Sequence, residues 1–171
     1  MANTYTLISS ATVGSGGTSS IDFTSIPSTY TDLCLVISAR SAYSAVKDDI
    51  LFKLNTATTN FSTRYLYANG STNTQASSTY AAGYAGFAVG ATATASTFSN
   101  NTLYISNYTS SSNKAFLVDT VNENSSTNAY MMLLAGLWAN TSTINQITLY
   151  SANSANFAQY TTAYLYGIKN S

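Results

Sequence analysis

The chain has 171 residues, which suits one domain, and its hydrophobic fraction of 45% is typical of a folded protein. Charged residues make up only 7% of it, with 6 basic side chains against 6 acidic ones. This composition excludes an intrinsically disordered chain and the basic footprint of a nucleic-acid-binding protein. A surface with so little charge gives weak protection against association, so we expect a protein that works docked against others.

Short apolar bursts separated by polar turn residues predict an all-β protein, because no segment has the spacing of a long amphipathic helix. We interpret residues 1–171 as a single antiparallel β-sandwich domain. One short turn of helix is predicted at 41–49. In chain order, strands are predicted at 5–8, 20–23, 32–40, 50–54, 62–67, 101–106, 114–121, 128–138, 144–150 and 161–168.

Two of these strands contain runs that are apolar on both faces, 33–37 and 131–134. Such runs are typical of central strands. We expect the second sheet of the sandwich to cover one face and a partner subunit to cover the other. The predicted core consists of Leu33, Leu35, Ile37, Leu103, Ile105, Phe116, Val118, Leu134, Trp138, Ile147 and Leu165.

The segment 68–99 differs from the rest of the chain, because it is built from small and aromatic residues and has no charge. We interpret it as a long excursion with one weak strand near 86–91. Loops of that length are usually functional or contact surfaces.

The 14 tyrosines are the most informative excess in the composition. A tyrosine supplies a large rigid contact area and a hydrogen bond. We expect individual tyrosines to pack on the sheet faces, and the tyrosines as a group to form an interface with another protein. The candidate contact residues lie in the uncharged segment and on the last strand. They are Tyr80, Tyr84, Phe87, Phe98, Tyr164 and Tyr166.

Residues for catalysis and metal binding are scarce. The chain has no histidine, and its one cysteine, Cys34, lies in an apolar run where we expect it to be buried. Asp119 and Glu123 could form the carboxylate pair of a glycosidase, but we expect both at a strand end. Asp48 and Asp49 could help to bind calcium, but we expect a solvated turn. We predict no enzyme activity, catalytic residue, metal or cofactor.

The amino terminus has neither the basic region nor the apolar stretch of a signal peptide. No run approaches the ~20 apolar residues that a membrane span needs. We therefore expect no membrane partner, and synthesis in a cytoplasm.

Three segments carry a resemblance to a known group of proteins. They are Tyr5-Thr6-Leu7-Ile8 with the following Gly14-Ser15-Gly16-Gly17 and Ile26-Pro27-Ser28, then Ala135-Gly136-Leu137-Trp138 leading to Ile144-Asn145-Gln146-Ile147, and the closing Tyr164-Leu165-Tyr166-Gly167-Ile168. With these segments the chain resembles the small virion structural proteins of phages that infect marine and freshwater bacteria, including cyanophages.

The resemblance implies a β-sandwich of jelly-roll type that is assembled in the bacterial host cytoplasm and located on the virion, at the capsid surface. It leaves two functions open. One is a capsid decoration, or cement, protein that binds the major capsid protein and copies of itself as a trimer. The other is a tail-fibre tip or carbohydrate-binding module that recognises a host-surface glycan.

Overall fold

The computed structural model describes residues 4–78, 82–122 and 129–169, which contain antiparallel strands and no helix. Hydrogen bonds join the strands into an eight-stranded and a four-stranded sheet, packed as a sandwich. The predicted all-β sandwich is therefore confirmed. The strands are β1 (Tyr5–Thr12), β2 (Ser20–Phe23), β3 (Asp32–Ala39), β4 (Lys47–Leu54), β5 (Phe61–Ala68), β6 (Asn73–Ser78), β7 (Gly83–Val89), β8 (Ser99–Ile105), β9 (Lys114–Asn122), β10 (Tyr130–Trp138), β11 (Ile147–Ser151) and β12 (Thr162–Ile168).

The strand order is β1-β12-β3-β8-β9-β10-β5-β6 in the large sheet and β2-β11-β4-β7 in the small one. Without β5, β6, β9 and β10, the remaining strands pair in the order of an eight-stranded jelly roll. The other four continue the large sheet beyond β8 as two antiparallel pairs, β9 with β10 and β5 with β6. We call these four strands the extension.

The core lies between the two sheets, and every predicted core residue is at most 4% exposed. Aromatic rings fill the core at the position where the extension begins. The rings of Phe52 and Phe116 meet edge to face with centroids 5.1 Å apart, and Phe61 stacks on Trp138 at 6.1 Å. Rings from both sheets thus fix the extension against the jelly roll.

The described part of the segment 68–99 is not the long excursion that its composition suggested. It contains β6 and the fully buried strand β7, which overlaps the weak strand predicted near 86–91 but begins three residues earlier. Small residues let β7 approach its neighbours closely: a Cβ atom at Gly83 would lie 2.2 Å from the Phe52 ring. The loop that follows is tied down as well, because the Arg40 guanidinium donates to the backbone oxygens of Ala93 at 3.0 Å and Thr94 at 2.8 Å.

The predicted helical turn at 41–49 is also wrong. Strand β4 begins at Lys47, and every second residue from Asp48 to Leu54 is buried. A period of two is the repeat of a half-buried strand, so burial of this face determines the local structure.

Candidate interaction sites

The outer face of the extension is defined by the side chains of β5, β6, β9 and β10 that point away from the core. It is largely apolar on β5, β9 and β10, and the edge strand β6 borders it with polar residues such as Gln75 and Ser77, opposite Leu66 and Arg64. Buried and exposed residues alternate along β9 and β10. A solvated face normally carries polar residues at the exposed positions. Here the exposed residues include Leu66 at 59%, Met131 at 54%, Leu117 at 47%, Leu133 at 46%, Val121 at 45% and Leu137 at 37%.

The strand register brings these side chains together. Leu133 at the centre of β10 lies opposite Leu66 of β5 on one side and Asp119 of β9 on the other. Two residues along the strand, Met131 lies opposite Val121. Isolated apolar side chains are normal on a protein surface, but a contiguous patch of them marks an interaction site.

Two charges interrupt the apolar surface. Arg64 and Asp119 are the only ionisable residues on the outer face of the extension within the described ranges. The Arg64 guanidinium donates to the backbone oxygen of Thr63 at 2.9 Å. The one salt bridge of the described residues joins Lys47 and Asp49 elsewhere, so neither charge on this face has an ionic partner in that part of the chain.

The tyrosines of the last strand lie on the same side of the large sheet, near its opposite edge. Tyr164 is 36% exposed, and the half-buried Tyr166 packs edge to face on Tyr5 with centroids 6.2 Å apart. Tyr166 and Tyr104 flank Cys34 on the two neighbouring strands. The predicted burial of Cys34 is confirmed, and burial raises the pKa of its thiol.

The other predicted contact residues are placed differently. Tyr84 and Phe87 are buried in β7, and Phe98 is half-buried directly before β8. Tyr80 lies outside the described residues. Among the described members of the predicted set, the structure places Tyr164 and Tyr166 on the outer side of the large sheet. It also brings Tyr84 and Phe87 together, edge to face with ring centroids 6.1 Å apart, but buries both.

A cleft opens where β5 and β6 continue the large sheet past β7, the edge strand of the small sheet. Its volume of about 340 Å³ is within the range of small-ligand sites. Aromatic rings dominate its wall, together with one acid and one base. The lining residues are Lys47, Asp49, Tyr65, Tyr67, Thr74, Tyr84, Phe87, Met132 and Leu134.

Asp49 is the polar centre of this cleft. Its Oδ1 atom accepts hydrogen bonds from the Tyr84 hydroxyl at 2.6 Å and from the Lys47 ammonium. The ammonium also lies over the Phe87 ring, 4.4 Å from its centroid, as in a cation–π contact. The acid and the base therefore neutralise each other, and the cleft has an aromatic wall with a charge-balanced polar group.

Tyr67, which also lines the cleft, is influenced by the aromatic wall and by Asp49. Tyr67 meets the Phe87 ring edge to face at 5.9 Å and stacks on Tyr130 at 6.3 Å. Burial, followed by the charges of Tyr130 and Asp49, raises the pKa of Tyr67. Its hydroxyl therefore stays protonated at neutral pH and can donate as well as accept a hydrogen bond.

Among the described residues, no three acids or cysteines lie close enough together to hold a metal ion. Asp48 is not in a solvated turn: it is 1% exposed and accepts from the Ser151 hydroxyl and the Asn153 amide, each at 2.8 Å. Asp119 is in the middle of β9 rather than at its end. Glu123 lies outside the described residues.

No family model and no curated protein matches this chain. The part of the chain described here also has no helix that is long and apolar enough to cross a membrane.

Proposed function

We propose that the chain is a non-enzymatic structural protein of a phage particle, a decoration protein that binds the major capsid protein as a homo-oligomer. The observation that carries this proposal is the apolar outer face of the extension. An apolar face of this kind is normally covered by protein, and the near-zero net charge favours association. The resemblance to virion proteins supplies the phage context, and the jelly-roll strand order agrees with it by analogy only.

Binding to shells tests the proposal. Particles of the phage that encodes the chain are stripped of it, and the purified protein is added back at low and high salt. We expect rebinding that changes little with salt, because apolar contacts are not screened, and a gain in the heat stability of the particles. The copy number in intact virions distinguishes the two locations: we expect hundreds of copies for a shell protein and a few dozen at most for a tail protein.

Two variants test whether shell binding depends on the outer face of the extension. Leu133→Glu places a charge at the centre of the patch and should abolish rebinding. Val46→Glu is the matched control, because Val46 is 40% exposed but precedes β4 and lies outside the large sheet. Equal rebinding of both variants, or failure of the unmodified protein to bind or stabilise shells, would contradict the proposal.

A second candidate function, recognition of a host-surface glycan at a tail tip, is favoured by the cleft. Tyrosine rings can pack on the apolar faces of sugar rings, while Asp49 and the tyrosine hydroxyls supply hydrogen bonds. Binding to a glycan array that is lost in Tyr67→Ala and retained in Tyr160→Ala would support it. Tyr160 is 67% exposed and does not line the cleft. No binding to host polysaccharide would eliminate this candidate.

A further inference from the structure

We propose that the outer face of the extension pairs with the same face of a second copy across a two-fold axis, with Arg64 of each copy facing Asp119 of the other. This inference rests on the proposed homo-oligomer and names a second copy of the chain as the partner that covers the face. It follows from where the two charges lie within the apolar patch.

The strand register fixes these positions. On the outer face, Asp119, Leu133 and Leu66 form one row across β9, β10 and β5. The next row is formed by Leu117, Ala135 and Arg64. Asp119 and Arg64 therefore occupy opposite corners of a rectangle centred on β10, and leucines occupy the other two corners.

The patch is complementary to an identical patch on a second copy. A two-fold axis parallel to the face, perpendicular to the line from Asp119 to Arg64, places each charged corner over the oppositely charged corner of the second copy. Leu66 and Leu117 lie close to that axis, so each packs near its own equivalent. A two-fold interface requires this kind of reciprocity, in which one patch is complementary to itself.

The energetic argument favours this partner. Asp119 and Arg64 are two strands apart, about 10 Å in the strand-pairing direction, and they form no salt bridge with each other. Any partner that covers the patch removes both charges from water, which is costly unless each meets an opposite charge. A second copy supplies both ions in the required places, together with leucine for leucine.

The area is sufficient. Four strands are about 19 Å wide, and a nine-residue strand such as β10 is about 30 Å long. The projected area is therefore roughly 600 Å², and the accessible area of a face covered with side chains is larger. A standard interface buries about 800 Å² per partner. A two-fold pairing gives a dimer or a larger even-numbered assembly, in place of the trimer expected from the sequence.

Charge exchange tests the pairing in solution without shells. Sedimentation velocity over a range of concentrations gives the dimer dissociation constant of the unmodified chain, of Arg64→Asp, of Asp119→Arg and of the double variant. Each single variant sets like charges against each other twice per dimer, and we expect it to weaken the dimer at least ~10-fold. The double variant restores both pairs and should return to within about 3-fold of the unmodified chain.

Lys53→Asp is the control for Arg64→Asp, because it makes the same change of net charge on β4, in the small sheet. We expect it to dimerise like the unmodified chain, and circular dichroism to show that every variant is folded. An unmodified chain that stays monomeric, single variants that dimerise normally, or a double variant that fails to recover would overturn the inference. Monomers that still bind shells would overturn only the pairing, whereas dimers that do not bind shells would overturn only the proposed function.

Discussion

The side-chain oxygen of Asn101 accepts a hydrogen bond from the backbone N–H of Phe87 at 2.9 Å, and so joins strand β8 of the large sheet to strand β7 of the small one. The bond is made at a β-bulge, where the register between β4 and β7 shifts between Ile50 and Leu51. The Asn101 amide group donates in turn to the Ile37 backbone oxygen at 3.3 Å. A buried amide thus satisfies backbone groups that the sheet ladder leaves open.

Replacing this amide should destabilise the fold strongly. Asn101→Leu has a similar volume but removes the nearer acceptor of the buried Phe87 N–H and leaves it only the Thr120 hydroxyl at 3.3 Å. We therefore expect the free energy of unfolding to fall by about 2 kcal/mol. Urea denaturation measures the change. Asn100→Leu is the control, since Asn100 is exposed on the other face of β8, and it should change stability by less than about 0.5 kcal/mol. Equal effects of the two variants would show that the hydrogen bond is unimportant.

Gly86 is required at the bulge for two separate reasons. Its φ of +118° is strained for any residue with a side chain, and an added Cβ atom would lie 2.3 Å from Asn101 Oδ1. We expect Gly86→Ala to cost about 2–4 kcal/mol of stability in thermal or urea unfolding. At Gly14 an added Cβ atom has nothing within 4 Å and φ is not positive. Gly14→Ala should therefore be close to neutral, and a neutral Gly86→Ala would refute the bulge geometry.

Cys34 should react slowly with thiol reagents in the folded protein. It is 5% exposed, and its raised pKa reduces the thiolate fraction at pH 8. Labelling should become fast in denaturant, and Tyr166→Ala, which removes a neighbouring ring, should accelerate labelling of the native protein. Rapid labelling of the unmodified native chain would contradict this account of burial.

Tyr104 should lose its phenol proton only at unusually high pH. Its hydroxyl donates to Asp32 Oδ2 at 2.6 Å, and this bond, more than burial, raises the pKa of Tyr104 to about 12. The native state therefore holds the phenol proton more tightly than the unfolded chain, so this contribution to stability is complete below pH ~10 and is lost as pH rises through ~12. Absorbance titration should show Asp32→Asn lowering the midpoint, whereas Asp22→Asn should not. Identical titration curves would exclude the bond as the cause.

Much of the fold could be predicted from the sequence, because burial imposes a period of two. The strand at 114–121 alternates clearly, and its inward residues Phe116 and Val118 lie in the core as predicted. Strand β7 was poorly predicted, because its bulge breaks the alternation and its small residues resemble a loop. Strand β6 was missed, because its polar residues carry no periodic apolar signal.

The candidate interface was only partly predictable. The doubly apolar run 131–134 led to the expectation of a partner subunit, and its outward residues Met131 and Leu133 are indeed exposed in the single chain. The same signal is present in Leu117, which alternates with core residues but is apolar itself. Its proximity to Leu66 depends on the pairing of β10 with both β9 and β5. That pairing joins distant parts of the chain and is not encoded in any local pattern.

Electron cryo-microscopy of the intact phage particle tests the central claim most directly. We expect density for the sandwich on the capsid shell, repeated at the symmetry positions of the lattice, with the outer face of the extension buried against protein and Leu133 at the centre of the contact. Density for the chain at the tail tip alone, or on the shell with Leu133 and its apolar neighbours open to solvent, would contradict the account.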